Sequence, residues 1–415
     1  MISLEETAAK VRSGQLDPVE VVEQALQRAE DNQHLNAVVH LDADGARKAA
    51  ADHPRTGALA GVPVLVKEII EVEGLPFRCG SASMDELGQR DAEVVARLRA
   101  AGAIIIGLSH THEFAYGCTG TSNRVGPCRN PHDPSRMTGG SSAGAGAAVA
   151  AGIVPLAIGT DTAGSVRIPA ALCGVVGFKP AYGTLPIDGV FPLAQSLDHV
   201  GVLTTTVADA AYAIAALTGT AQAERTPPRI GVVVNDEYLD YTPEVGAAWN
   251  RAISRLSTTD IRLPDWAESF HTAADIQGPE ATANHAGRNI DLYQPDVQER
   301  LREAAAVPRT RYDAARAKAT EITAAMTDLL HEVDAVITPT VLTTAPPIDA
   351  VDDPAGALAV RAQLLKNTRL ANLTKHPAIT IPLPTTGLPI GLQVIARDND
   401  LAIAAADLIS RRLEV

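Results

Sequence analysis

The chain has no surplus of positive charge. Its 35 Lys and Arg face 49 Asp and Glu, leaving a formal net charge of −14, and no basic run interrupts that balance. A protein that neutralises phosphates needs the opposite, so nucleic acid is not expected as a direct partner. Cysteine is scarce as well. Cys79, Cys118, Cys128 and Cys173 stand apart with no Cys-x-x-Cys spacing, which suits reduced thiols better than a disulfide frame or a zinc site. Neither a metal nor a cofactor is expected. The opening MISLEETAAKVRSG carries acids where a secretion signal needs positive charge ahead of an apolar block, so a cytoplasmic protein is expected. A long hydrophobic run is also missing. The stretch from Met137 to Thr160 is uncharged and, at 24 residues, nominally spans a bilayer. Gly139, Gly140, Gly144, Gly146, Gly152, Gly159 and Pro155 break it too often for a membrane helix, and no membrane contact is expected.

What remains is an ordinary globular composition, 415 residues with 46% hydrophobic and 20% charged, long enough for a sizeable core. Ser3 with Glu6 reads as a capping box, and Asp17-Pro18 with Glu20 as a second helix start. GVPVLVKE (61–68) is a buried strand ending in a lysine, and a helix over 92–101 leads into a second buried strand, AIIIGLSH. Helical character over 141–151, strand over IVPLAIG and helix from Ser165 to Leu172 continue the alternation, with RIGVVV and AVITP as later strands. The chain is therefore read as α/β, one large domain. The segment 243–332 reads as mostly helical, punctuated by Trp249, Pro264 and Trp266. AERTPP (223–228) is the best linker candidate, although a strand follows at once.

The stretch MTGGSSAGAG (137–146) has several readings. Gly140-Ser141-Ser142-Ala143-Gly144 fits the G-x-S-x-G of a nucleophile elbow, but Pro131 and Pro134 deny it the strand that must run into such a turn. Asp198 and His199 are adjacent and do not readily supply a downstream acid and base. A dinucleotide loop lacks its third glycine, and no lysine follows to make a phosphate loop. A tightly packed small-residue helix accounts for 143–152 but not for the serines before it. Downstream, GTDTAGSVRIPAALCG (159–174) places Ser165 where a strand breaks into a helix. There it is either an ordinary N-cap or a nucleophile beside unpaired N–H groups.

Taken together, GGSSAGAGAAVAAGIVPLAIGTDTAGSVRIPAALCGVVGFKP (139–180) closely resembles the signature of the amidase signature family, including the 24-residue step from Ser141 to Ser165. GVPVLVK, LSHTHEFAYG, SLDHVGVLTTTVADAA, AVITPTVLTTAPP and NLTKHPAITIPLPTTGLPIGLQVI extend the likeness along nearly the whole chain. The resemblance implies a mixed sheet covered by helices and a Ser-cis-Ser-Lys triad of Ser165, Ser141 and Lys67, with a cis Gly140–Ser141 peptide. It implies N-terminal helices over 1–60, a catalytic core over 61–220, a mostly helical substrate-facing region over 221–360 and a C-terminal part of the core over 361–415. Such a lysine must be desolvated to act as a base, and the end of an apolar strand would lower its pKa. Backbone N–H groups of Thr162, Ala163, Gly164 and Ser165 are expected to form the oxyanion site. Gly140, Ser142, Asp161 and Arg167 are expected to support it, the last two as a bracing salt bridge. The family more often has glycine at Ala163, and its methyl restricts positive φ, so an altered loop is expected there. His110, His112, Tyr116 and Cys118 border the implied pocket without an assigned role. The expected activity is hydrolysis of a small-molecule carboxamide, with a homodimer left open. Acyl transfer to another amine, the amidase component of a glutamine-dependent tRNA amidotransferase, and a silent binding protein of the same fold stand as alternatives.

Overall fold

Apolar runs of five or six residues are buried from end to end in Pro63–Lys67, Ile104–Ser109, Leu156–Asp161, His199–Thr204 and Gly391–Ala396. Strands with no exposed position belong in the middle of a sheet covered on both faces, and here they do. The computed structural model describes residues 2–220, 227–236, 239–263 and 266–414, and a mixed sheet of 11 strands runs through them. Pro63–Lys67 lies parallel to Ile104–Ser109 on one side and to Leu156–Asp161 on the other. Val38–Leu41 closes that edge antiparallel to Ile104–Ser109. In the other direction Leu156–Asp161 pairs antiparallel with His199–Thr204, followed by Val176–Lys179, Ala378–Pro382 and Gly391–Ala396, all antiparallel. Ala335–Pro339, Ile230–Val233 and Thr258–Ile261 finish the sheet. Because three neighbouring strands run the same way, Lys67, Ser109 and Asp161 all emerge at one edge. That edge carries the site, as expected where strand direction leaves a crevice at carboxyl ends.

Both anticipated helix starts form. Ser3 Oγ accepts from the Glu6 N–H at 3.1 Å ahead of the helix Leu4–Arg12, and Asp17 accepts from the Val19 N–H at 3.0 Å ahead of Pro18–Asp31. The uncharged run resolves into a strand end at Met137, a short helix Ala143–Ala150 and the strand Leu156–Asp161. Among the described residues no helix is long and apolar enough to cross a membrane. All four cysteines are buried and unpaired. The small residues of Ala143–Ala150 do what composition suggests. A Cβ on Gly144 would stand 2.1 Å from the Ala37 carbonyl oxygen and 2.3 Å from the His110 nitrogen, so only glycine lets the helix lie on that backbone.

The segment 243–332 is largely helical, in Pro243–Ile253, Trp266–Asn284, Pro295–Ala305 and Arg309–Glu332. The strand Thr258–Ile261 inside it escaped the sequence reading because its central residues are polar and exposed, as an edge strand permits. Residues 223–226 of the linker candidate, and Pro264, lie outside the described residues.

Candidate active site

Lys67 is the last residue of a fully buried strand and is itself 0% exposed. Its Nζ lies 2.7 Å from Ser141 Oγ and 2.8 Å from Thr160 Oγ1. Burial pushes the ammonium down to about 7, against the pull of the nearby Asp161 and Asp198 carboxylates. Desolvation wins because the neutralising charges stand off while the side chain is wholly buried.

Ser141 is positioned by backbone on both sides. The Gly140–Ser141 peptide is cis, the Gly140 N–H donates to the Cys118 carbonyl at 2.7 Å, and the Ser141 carbonyl accepts from the His112 N–H at 3.0 Å. His112 therefore contributes main chain here. Its ring lies 3.0 Å from an Asp296 oxygen. Ser142 serves as a tie between loop and sheet, donating from Oγ to the Thr160 carbonyl at 3.0 Å and accepting from the Thr160 N–H at 3.2 Å. Its N–H reaches the Ser165 carbonyl at 3.1 Å, which brings the two serine loops together. Ser165 is 7% exposed and lines a cavity of about 190 Å³ with Thr162 and Ala163. Among the described residues its hydroxyl takes no hydrogen bond, so the Lys67–Ser141 contact is formed and a Ser141–Ser165 bond is not. Hydrogen bonds of this kind often tighten only when substrate is bound.

The loop after the strand Leu156–Asp161 differs from expectation in two respects. The helix starts at Arg167 rather than Ser165, with Val166 at its N-cap. The Asp161 carboxylate also claims the turn's donors: Gly164 N–H at 2.8 Å, Val166 N–H at 3.1 Å and Arg167 N–H at 3.4 Å. Gly164 thus leaves the expected set of oxyanion donors, and the helix end offers none. An ionised carboxylate is a stronger acceptor than any group the sequence reading had placed there. Thr162, Ala163 and Ser165 remain as candidates. The concern over Ala163 resolves differently. The positive φ of the loop, 123°, falls on Gly164, where a Cβ would meet Thr368 Oγ1 at 2.5 Å.

The expected bridge between Asp161 and Arg167 is present at 2.8 Å with both side chains 0% exposed. Burial alone would raise the Asp161 carboxyl, but the Arg167 guanidinium overrides it and holds the group well below the usual carboxylate range. Arg167 also donates to the Thr368 carbonyl at 2.8 Å and to Asn372 Oδ1 at 2.6 Å, tying the loop to the C-terminal part of the sheet. Arg167→Met should therefore unfold more easily by about 3–5 kcal/mol, because it strands a buried carboxylate; denaturant titration reads this directly. A loss under 1 kcal/mol would mean that the carboxylate finds other partners.

Several site residues carried no sequence signal. Thr160 contacts the lysine, yet it looked like an ordinary strand threonine. Asp198, set aside as a triad acid, instead accepts from Thr162 Oγ1 at 2.6 Å and from the Leu193 and Ala194 N–H groups at 3.0 Å each. His199 turns away, its Nδ1 2.6 Å from the Leu197 carbonyl. Glu68 is buried and pairs with Arg124 at 2.8 Å, although burial still pushes its carboxyl up to about 7. Tyr116 and Cys118 do border the cavity. So do Asp275, Gln277, Arg300 and Glu303 from the helical region, and Arg361, Leu365 and Arg369 beyond it.

Comparison with known proteins gives the family. A family model described as Amidase matches residues 20–400. The chain is 35% identical to the 2-amino-5-chloromuconic acid deaminase of Comamonas testosteroni, with 95% of this chain and 92% of the relative aligned. It is 33% identical to the indoleacetamide hydrolase of Pseudomonas savastanoi, across 94% of this chain and 92% of that protein. A glutamyl-tRNA(Gln) amidotransferase component from Acidothermus cellulolyticus is 32% identical, across 94% of this chain and 90% of its own. A solved crystal structure of an amidase superposes with a TM-score of 0.91 at 31% identity, covering 99% of this chain and 100% of its own. The chain belongs to the amidase family and is an enzyme acting on carbon–nitrogen bonds.

Proposed function

We propose that this enzyme hydrolyses a primary carboxamide to an acid and ammonia through an acyl-enzyme on Ser165, with Ser141 and Lys67 as the proton relay. The observation that carries the reading is Lys67 Nζ, wholly buried, 2.7 Å from Ser141 Oγ beside the loop that presents Ser165 to the cavity. A neutral amine has two N–H donors and one lone pair. With one N–H donated to Thr160 Oγ1, at 2.8 Å, the lone pair is left able to take the Ser141 proton. Ser141 gives its proton to Lys67 and takes one from Ser165 as the Ser165 oxygen attacks the amide carbon. N–H groups of the 162–165 loop other than Gly164 meet the oxyanion that forms. As the carbon–nitrogen bond breaks, the relay runs backwards and the proton leaves on ammonia. Water then attacks the acyl-enzyme by the same relay, releasing the acid and freeing Ser165.

The likeness to the tRNA amidotransferase component supports a second reading in which the released ammonia passes to a partner. Mixing the purified chain alone with a panel of aliphatic, aromatic and amino-acid amides decides between them. Ammonia release without added protein is expected. Release seen only with glutamine and a partner protein would favour the second reading, and no release under either condition would overturn the first.

A further inference from the structure

The cavity beside Ser165 is lined by three guanidiniums, Arg300, Arg361 and Arg369, in a chain whose formal net charge is −14. They are not equivalent. Arg300 is already occupied: it pairs with Asp296 at 2.8 Å and donates to the Tyr116 carbonyl. Arg369 is 5% exposed and sits 4.2 Å above the Phe270 ring, donating from Nη1 to the Phe270 carbonyl at 2.8 Å. Its Nε is buried without a partner. Arg361, half-buried, takes no hydrogen bond or ion pair among the described residues. The two stand close enough that Arg361, after burial itself, helps lower the Arg369 pKa to about 10. The acidic groups in the same wall offset them only in part, Asp275 acting on Arg369. Asp275 is held by Arg311 at 2.8 Å, and Glu303 is exposed.

Two like charges side by side, one of them desolvated, cost stability unless an anion joins them. Arg361, Leu365 and Arg369 all line the cavity, so the helix Pro354–Leu365 and the first residue of the helix Arg369–Leu373 present both guanidiniums to the same space. The distance to the reacting centre is also fixed. Thr368, the neighbour of Arg369, donates from Oγ1 to the Ala163 carbonyl at 2.5 Å, and its own carbonyl is held by Arg167. Arg369 is thereby tied to the loop that carries Ser165.

We propose that Arg361 and Arg369 form a carboxylate-binding subsite, so that the preferred substrates are short amides that also carry a carboxylate. The inference rests on the amide-hydrolysing reading above and adds its specificity. Planar guanidiniums bind a carboxylate through paired, charge-assisted hydrogen bonds, and two such bonds shift binding by about 100-fold or more. The carboxylate sits on the acyl chain, because the group that leaves a primary amide is ammonia.

The test compares kcat/KM for succinamate with that for butyramide, and for glutaramate with that for valeramide. Wild-type enzyme should favour the charged member of at least one pair by about 100-fold. Charge reversal in Arg361→Glu should bring that ratio to unity or below, chiefly through KM, and shift preference toward amides bearing an ammonium group. Calorimetric binding of the same compounds to Ser165→Ala gives a readout that needs no turnover. A wild-type ratio near unity, a ratio unmoved in Arg361→Glu, or equal binding of charged and uncharged amides to Ser165→Ala each overturns the subsite. Turnover of uncharged amides alone would overturn it and leave the amide-hydrolysing reading standing. Tight binding of the carboxylates with no amide hydrolysed would do the reverse.

Discussion

Ser165→Ala is expected to lose amide turnover by a factor on the order of 10⁵–10⁶, the usual consequence of deleting a nucleophile whose partners act as a unit. The fold should barely notice. Ser165 makes no side-chain hydrogen bond among the described residues, and the cap of the following helix is Val166, so the change in unfolding free energy should stay within about 0.5 kcal/mol. These two expectations separate the nucleophile from the blander reading of this serine as a helix cap. A capping serine replaced by alanine would cost about 1 kcal/mol of stability and leave turnover alone. Steady-state kinetics and a denaturant titration on the same preparation decide the matter, as does labelling by a fluorophosphonate, which should reach wild type and spare the variant. Turnover at the wild-type level in Ser165→Ala would refute the acyl-enzyme assignment.

Lys67→Met keeps the length and the apolar stem of the side chain while removing the base. Activity should fall by about 10³–10⁴, and the pH profile should change form. The working species is the neutral amine. With the folded pKa at about 7, wild-type kcat/KM should rise through pH 7 and level off above about 8. In the variant that limb should vanish. Stability should move the other way. Between about 7 and the unfolded value near 10.4, the unfolded chain holds the lysine proton and the folded chain does not, so this group makes stability rise with pH across that window. Below it the wild type carries the full cost of a buried ammonium, and Lys67→Met should be the more stable protein there. A variant both less active and less stable at pH 6 would show that the lysine is a structural cation rather than a poised base.

Parts of this site are legible without coordinates because they depend on short-range rules. VPVLV announces a strand with no solvent face, and the family resemblance implies that the lysine ending it is desolvated to serve as a base; Lys67 is found buried there with its pKa lowered. The alternation of Gly and Ala over 143–150 predicts backbone contact, and Gly144 makes it. Other parts depend on a choice among partners that only the fold makes. Asp161 and Arg167 were expected as a pair, but nothing local indicates that the same carboxylate also takes the N–H of Gly164 and so subtracts a donor from the oxyanion loop. Thr160 became visible only when the strand registers placed its hydroxyl beside Lys67. Arg361 and Arg369 were silent for another reason. They lie about 200 residues beyond Ser165, in a segment where arginines on a helix ordinarily mean a solvated face. The fold turns that face toward the cavity.

The central claim is that Lys67 gives up its proton near neutral pH in the resting enzyme, and the most direct measurement is an NMR titration of its ε-methylene and Nζ signals, assigned by loss in Lys67→Met. The account predicts a midpoint near 7 in the wild type. A midpoint at the ordinary lysine value, about 10.4, would contradict it.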